Sequence, residues 1–279
     1  VATTPFPSIP ADANDEVTDF VRVGPTRVRV RSVGEGSPLL MLMGIGGNLE
    51  MWGPLLPYLG RRRLVMLDFP GTGESSLSFL PPTMGCNALL VRSVMRRLGL
   101  GRVDVLGYSW GGVLAQHLAI QHPPAVRRLV LASTTVGLGG LPPSPRVARH
   151  LFTARRYHSR PYFEAVAPTI YGGRYRTDRA MVEAHADERV MRPPSRSGYL
   201  AQLAALSWYS SLPGLSAIRA RTLVLAGGDD PMVPVVNARL IACCVPRSTL
   251  EVLPDAGHLV LVDSPEVAGP IIDRFLAVA

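Results

Sequence analysis

Gly107-Tyr108-Ser109-Trp110-Gly111-Gly112 is the stretch on which the fold turns. Val103–Leu106, before it, reads as a short strand buried on both faces, and Val113–Gln121, after it, reads as a helix. A serine flanked by glycines two residues away on each side, at a strand-to-helix junction, is the G-x-S-x-G pattern. Serine is a weak nucleophile and needs presentation at the tip of a sharp turn. The two glycines let strand and helix pass without Cβ clashes. The helix N-terminus aims its dipole and free N–H groups at the same point. Ser109 is therefore the candidate nucleophile.

Working outward, apolar runs of the same kind recur at Leu39–Met43, Leu64–Leu67, Leu129–Leu131, Leu223–Ala226 and Leu250–Leu253. Continuous apolar runs suit strands covered on both faces of a parallel sheet. Phe20–Val23 and Val28–Ser32 instead alternate around Gly24-Pro25, as a hairpin with one solvated face would. Between the runs lie helical patterns at Glu50–Leu59, Thr83–Leu98, Gly111–Gln121, Val235–Ala242 and Pro265–Ala279. Strand and helix in alternation predict an α/β fold with a mostly parallel, doubly wound sheet. Residues 141–212 break the rhythm, with Pro-rich joints and apolar helical faces but no buried strand. They are expected to form a helical cap inserted between two halves of the core, 1–140 and 213–279.

The C-terminal part supplies partners for Ser109. Asp255-Ala256-Gly257-His258 follows the last apolar run, and His258 is the only histidine in a post-strand loop. Loops after parallel strands gather at the ligand-binding edge of such a sheet. His258 is the candidate base. Leu223–Ala226 leads into Gly227-Gly228-Asp229-Asp230-Pro231, where a carboxylate can accept the imidazole N–H and fix its tautomer. Asp230 is the candidate acid, with Asp229 as its rival. An oxyanion needs two N–H donors, each worth about 3 kcal/mol. Trp110 N–H and Ile45 N–H, the latter in Gly44-Ile45-Gly46-Gly47, are the candidates, with Gly46 as an alternative to Ile45.

Composition removes several classes. The 279 residues are 47% hydrophobic and 18% charged, values of a globular chain that can bury a core without staples. No apolar run approaches the roughly 18 residues of a membrane span. Val1–Pro10 has neither a basic n-region nor an apolar h-region and does not read as a signal peptide. The three cysteines, Cys86, Cys243 and Cys244, have no metal spacing, which points to a reducing, cytoplasmic setting and no metal. Asp68-Phe69-Pro70-Gly71-Thr72-Gly73-Glu74-Ser75 is Gly-rich but lacks the Gly-Lys pair of a phosphate loop, and no cofactor is expected. The net charge is +8, and all 29 basic residues are arginine. Residues 141–212 hold 11 arginines against 5 acids. No nucleic-acid motif accompanies that surplus, and nucleic-acid binding is not expected.

Together the motifs Gly-Tyr-Ser-Trp-Gly-Gly, Asp-Phe-Pro-Gly-Thr-Gly-Glu-Ser, Gly-Gly-Asp-Asp-Pro-Met-Val-Pro and Ala-Gly-His resemble the α/β-hydrolase superfamily, in the chain order Ser…Asp…His. Met43–Trp52, Ala167-Pro168-Thr169-Ile170-Tyr171-Gly172-Gly173, Thr222–Pro234 and Asn237–Leu240 narrow the resemblance to intracellular medium-chain-length polyhydroxyalkanoate depolymerases. It runs from about Pro38 to Phe275. Met43 departs from it, standing where many superfamily members have His and these depolymerases Asn.

The resemblance implies an α/β-hydrolase fold with Ser109 as nucleophile, Asp230 as acid and His258 as base. It implies a serine ester hydrolase acting on medium-chain poly(3-hydroxyalkanoate) or related small or polymeric hydroxyacyl esters. The same three residues could serve a lipid or small-ester esterase, a thioesterase, a C–C bond hydrolase or a cofactor-free perhydrolase. A non-catalytic binding protein on this fold is the remaining reading. A polymer substrate further implies docking to a lipid or polyester granule through the arginines of 141–212 and through Leu151, Phe152, Tyr162 and Phe163.

Overall fold

The computed structural model describes residues 17–277. The reading of Val1–Pro10 lies outside them, as do the first residues of the expected core and the last two of the C-terminal helix. Eight strands form one sheet: β1 (Val17–Val23), β2 (Thr26–Val33), β3 (Pro38–Leu42), β4 (Arg63–Leu67), β5 (Val103–Tyr108), β6 (Val126–Ala132), β7 (Arg221–Gly227) and β8 (Ser248–Leu253). Their order is β1-β2-β4-β3-β5-β6-β7-β8. β1 and β2 form an antiparallel hairpin whose turn uses the left-handed backbone of Gly24, φ 56°. β2 joins β4 antiparallel, and every later pairing is parallel.

Among the described residues ten helices accompany the sheet: α1 (Met84–Arg97), α2 (Trp110–Gln121), α3 (Pro145–Ala148), α4 (Arg155–His158), α5 (Arg160–Tyr171), α6 (Arg179–Met191), α7 (Arg196–Ser207), α8 (Val236–Cys244), α9 (Val260–Asp263) and α10 (Pro265–Ala277). Alternate residues of the central strands serve different layers. Leu40, Leu42, Val105, Leu129 and Leu131 pack with the apolar faces of α1, α2 and α8. Leu39, Met41, Leu106, Val130 and Leu225 pack with α9, α10 and the inner faces of α5 and α6. That two-sided burial is why these strands read as unbroken apolar runs.

Two expectations are corrected. Glu50–Leu59 is not one helix but two short 3₁₀ turns, Leu49–Trp52 and Leu56–Tyr58. Gly53, Pro54 and Pro57 interrupt it, because proline lacks the N–H that a continuing helix needs. The Leu250–Leu253 run is not buried on both faces. β8 pairs only with β7, and its residues are half-buried or exposed, as an edge strand allows.

Topology places the site. β3 has β4 on one side and β5 on the other, so the loops after β3 and β5 diverge around a crevice at the strands' C-terminal ends. Between β6 and β7 the chain passes through α3 to α7, with no named strand among the described residues of that segment.

Candidate active site

Ser109 sits between β5 and α2 with φ 54° and ψ −119°, a strained backbone for a residue with a Cβ. Tight packing over-determines it. A Cβ on Gly111 would lie 2.0 Å from the Leu42 carbonyl oxygen, and one on Gly107 would lie 2.6 Å from Ala115 Cβ. The Ser109 N–H donates to the Ala132 carbonyl at 2.9 Å, and Thr134 Oγ1 donates to the Ser109 carbonyl at 2.7 Å. Strand β6 thus holds the turn from below.

His258, in the loop after β8, places Nε2 3.1 Å from Ser109 Oγ. Its Nδ1 lies 2.8 Å from Asp230 Oδ2. Asp230 Oδ1 accepts the N–H groups of Met232 and Val233, each at 2.8 Å. The His258 and Asp230 side chains are 3% and 1% exposed, so little water competes for the pair. His258 N–H donates to Tyr171 O at 2.7 Å, and Tyr108 OH donates to the His258 carbonyl at 3.0 Å. The structure thus brings Ser109, His258 and Asp230 together. Asp229 points elsewhere, bonded through both oxygens to Arg176 at 2.7 and 3.0 Å. Arg176 beside it holds the Asp229 carboxyl below the usual range.

The other candidates surround Ser109. Trp110 opens α2, where a first-turn N–H has no intrahelical acceptor. Ile45 lines the cavity over Ser109. Gly46 N–H, the alternative donor, is engaged by Gln202 Oε1 at 2.7 Å. Asp68, wholly buried after β4, accepts Leu49 N–H at 2.8 Å and Glu74 N–H at 3.1 Å, tying the loop after β3 in place. Burial pushes its carboxyl up to about 6.

The cavity at Ser109 has about 20 Å³, room for roughly one water. Residues of α4, α5 and α6 line its upper side, and further contacts tie that segment to the core. Tyr157 OH donates to the Ile45 carbonyl, Trp110 Nε1 donates to the Gln202 carbonyl at 2.8 Å, and Arg192 pairs with Glu50 and Glu74. Two fully buried arginines, Arg156 and Arg189, line the cavity. Sequence reasoning missed both. They stood among 11 arginines of a segment that reads as surface, and nothing in their spacing sets them apart. Of the four apolar residues expected to face a granule, Phe163 is wholly buried, whereas Phe152 is 63% exposed. Phe163 lies on the inner face of α5, in the layer shared with the sheet. Leu151 and Tyr162 are half-buried.

His185 on α6 stacks on Tyr175, with ring centroids 5.5 Å apart. Burial, then the Arg189 and Arg174 charges, drive its pKa down from 6.5 to about 3, against the opposing pull of Asp178. A histidine held neutral in the folded state stabilises fully above its unfolded pKa, and that stability is lost as pH falls from about 6.5 towards 3. The expected loss approaches about 4 kcal/mol. In denaturant titrations His185→Gln should be less acid-sensitive, so its stability deficit at pH 7 shrinks or reverses by pH 4. A constant deficit would refute the assignment.

Among the described residues, no three His, Cys, Asp or Glu side chains gather where they could hold a metal ion, and no helix is long and apolar enough to cross a membrane.

Comparison with known proteins agrees with this fold. A family model described as alpha/beta hydrolase fold matches residues 37–265. A poly(3-hydroxyalkanoate) depolymerase of Ectopseudomonas oleovorans is 39% identical over 241 residues, 86% of this chain and 84% of that protein. A 2-hydroxy-6-oxo-6-phenylhexa-2,4-dienoate hydrolase of Comamonas testosteroni is 27% identical over 254 residues, 87% of this chain and 86% of that protein. The crystal structure of the enol-lactonase from Burkholderia xenovorans LB400 superposes with a TM-score of 0.81 at 22% identity, covering 93% of this chain and 100% of that one. The chain is a hydrolase and belongs to the alpha/beta hydrolase fold family.

Proposed function

We propose that this hydrolase cleaves esters through an acyl-enzyme on Ser109, with medium-chain poly(3-hydroxyalkanoate) or its oligomers as the substrate class. The observation that carries the reading is the hydrogen-bonded series Ser109–His258–Asp230 beneath a small cavity, with Ser109 held in a strained turn. His258 Nε2 takes the Ser109 proton as Oγ attacks the ester carbonyl carbon. Trp110 and Ile45 N–H groups receive the oxyanion. The C–O bond then breaks, and the leaving alcohol takes the proton from His258. Water, deprotonated by His258, releases the acyl group. Asp230 keeps the imidazole oriented and stabilises its charged form.

Similarity to the Ectopseudomonas oleovorans depolymerase supports the polyester class. Residues 141–212 act as a cap that opens to admit substrate, since the cavity has room for only about one water. Exposed Phe152 and Leu200, beside Arg155 and Arg196, form the face that docks on a granule. Replacing Phe152, 63% exposed, by Ser should lower polymer turnover about tenfold relative to a dissolved ester. An equal effect on both substrates would sink the docking face.

The experiment for the whole reading measures 4-nitrophenyl esters from acetyl to dodecanoyl beside a medium-chain polyhydroxyalkanoate latex. Clearing that disappears in Ser109→Ala supports it. Ester turnover without clearing would retain the esterase and discard the polymer.

A further inference from the structure

Arg156 on α4 and Arg189 on α6 are 1% and 3% exposed, and both line the cavity that holds Ser109 and His258. A buried guanidinium ordinarily has a carboxylate partner, because an unpaired buried charge is costly. Among the described residues, neither arginine has a carboxylate within 4.0 Å, although Arg29, Arg62, Arg127 and Arg176 all do. The groups in direct contact with them are neutral instead, with Glu188 near enough to Arg189 to act only through its charge. Arg156 Nη1 donates to Tyr199 OH at 2.8 Å and to the His150 carbonyl at 3.3 Å. Arg189 lies over the rings of Tyr157, Phe163 and Tyr171, with centroid distances of 5.3, 5.1 and 4.9 Å. Arg156 Nε and Arg189 Nη1 are buried with no hydrogen-bond acceptor. Burial alone would raise the Tyr157 phenol, yet the two guanidiniums bring it below its ordinary value. The rest of the lining is apolar, including Met43, Met51, Met232 and Leu259.

A buried pocket with two positive charges, N–H donors without acceptors and no acid in its lining is built for an anion from outside. Guanidinium forks match a carboxylate in shape and charge. We infer that Arg156 and Arg189 form a subsite for the free carboxylate of a hydroxyacid ester, and that the bond cleaved is the one next to that carboxylate. The inference rests on the ester-hydrolase reading above and sharpens it. A polyester or oligomer is then trimmed from its acid end. Ser109 Oγ bonds to the penultimate carbonyl carbon, and the C–O bond to the terminal hydroxyacid breaks. That hydroxyacid leaves with the His258 proton and its carboxylate on the arginines, and the shortened chain stays on Ser109 until water releases it.

The test compares the linear 3-hydroxyoctanoate dimer with its methyl ester, which differ only in the charge at the acid end. Wild type should favour the free acid by about 10- to 100-fold in kcat/KM. Arg156→Met and Arg189→Met should bring the ratio near one, and Arg189→Lys should retain part of it. Equal turnover of the two dimers by wild type overturns the subsite and leaves the esterase standing. Turnover of neither overturns the substrate class, and binding then judges the subsite separately. Calorimetric titration of Ser109→Ala should show 3-hydroxyoctanoate binding at least about tenfold more tightly than its methyl ester. Equal affinity, or no binding of the acid, overturns the subsite.

Discussion

Ser109→Ala is expected to lower kcat for ester hydrolysis by about 10⁶-fold, and His258→Ala by a similar factor. In the proposed mechanism the two groups act as one unit, so the double variant should be no worse than either single one. Asp230→Asn should cost about 10⁴-fold, because an amide donates to Nδ1 and imposes the wrong imidazole tautomer. Asp229 provides the internal contrast. Its side chain is 42% exposed and faces Arg176, not His258. A surface ion pair contributes at most about 1 kcal/mol, so Asp229→Asn should keep kcat within about fivefold of wild type. Steady-state kinetics with one 4-nitrophenyl ester separates all of these. A large loss in Asp229→Asn with little in Asp230→Asn would reverse the assignment of the acid.

The second large effect is on the scaffold that holds Ser109. Gly111 is the point where α2 passes the end of β3. A methyl group there would lie 2.0 Å from the Leu42 carbonyl oxygen and 2.5 Å from that of Met43. Both contacts are backbone, so no side chain can swing aside and the helix itself must lift from the sheet. Gly111→Ala is expected to cost about 3 kcal/mol or more. For a chain of this size that is a fall of at least about 6 °C in Tm. Ser109 moves with the helix, so activity should fall with stability. Gly101→Ala is the control, since an added Cβ there meets nothing within 4 Å and the backbone is not left-handed. It should change stability by less than about 0.5 kcal/mol. Equal melting temperatures for the two variants would contradict the close-packing account.

Much of the site is legible in the chain because local chemistry dictates it. Ser109 is announced by its glycines and by the strand and helix on either side. His258 and Asp230 are announced by position, each following a strand in a sheet whose C-terminal edge collects such loops. Choosing Asp230 over Asp229 needs the turn itself, since neighbouring residues point in different directions and only the fold says which one meets the imidazole. The Glu50–Leu59 pattern misleads because apolar periodicity outweighed Pro54 and Pro57 within it. The edge position of β8 is invisible because pairing partners are set by the whole topology. Arg156 and Arg189 are the clearest case of information absent from local sequence. Burial of a charged side chain depends on how α4 and α6 close over the sheet, and arginine in a basic segment reads as solvated surface. Gln202 is similar, since its engagement of Gly46 N–H joins residues 156 positions apart.

The central claim is that Ser109 is the nucleophile of an acyl-transfer site activated by His258. Its most direct test is covalent labelling with a serine-directed fluorophosphonate, followed by peptide mass spectrometry. The expected result is one adduct, on the peptide carrying Ser109, absent from Ser109→Ala and formed far more slowly in His258→Ala. Failure of the folded wild type to label, or an adduct that persists in Ser109→Ala, would contradict the claim.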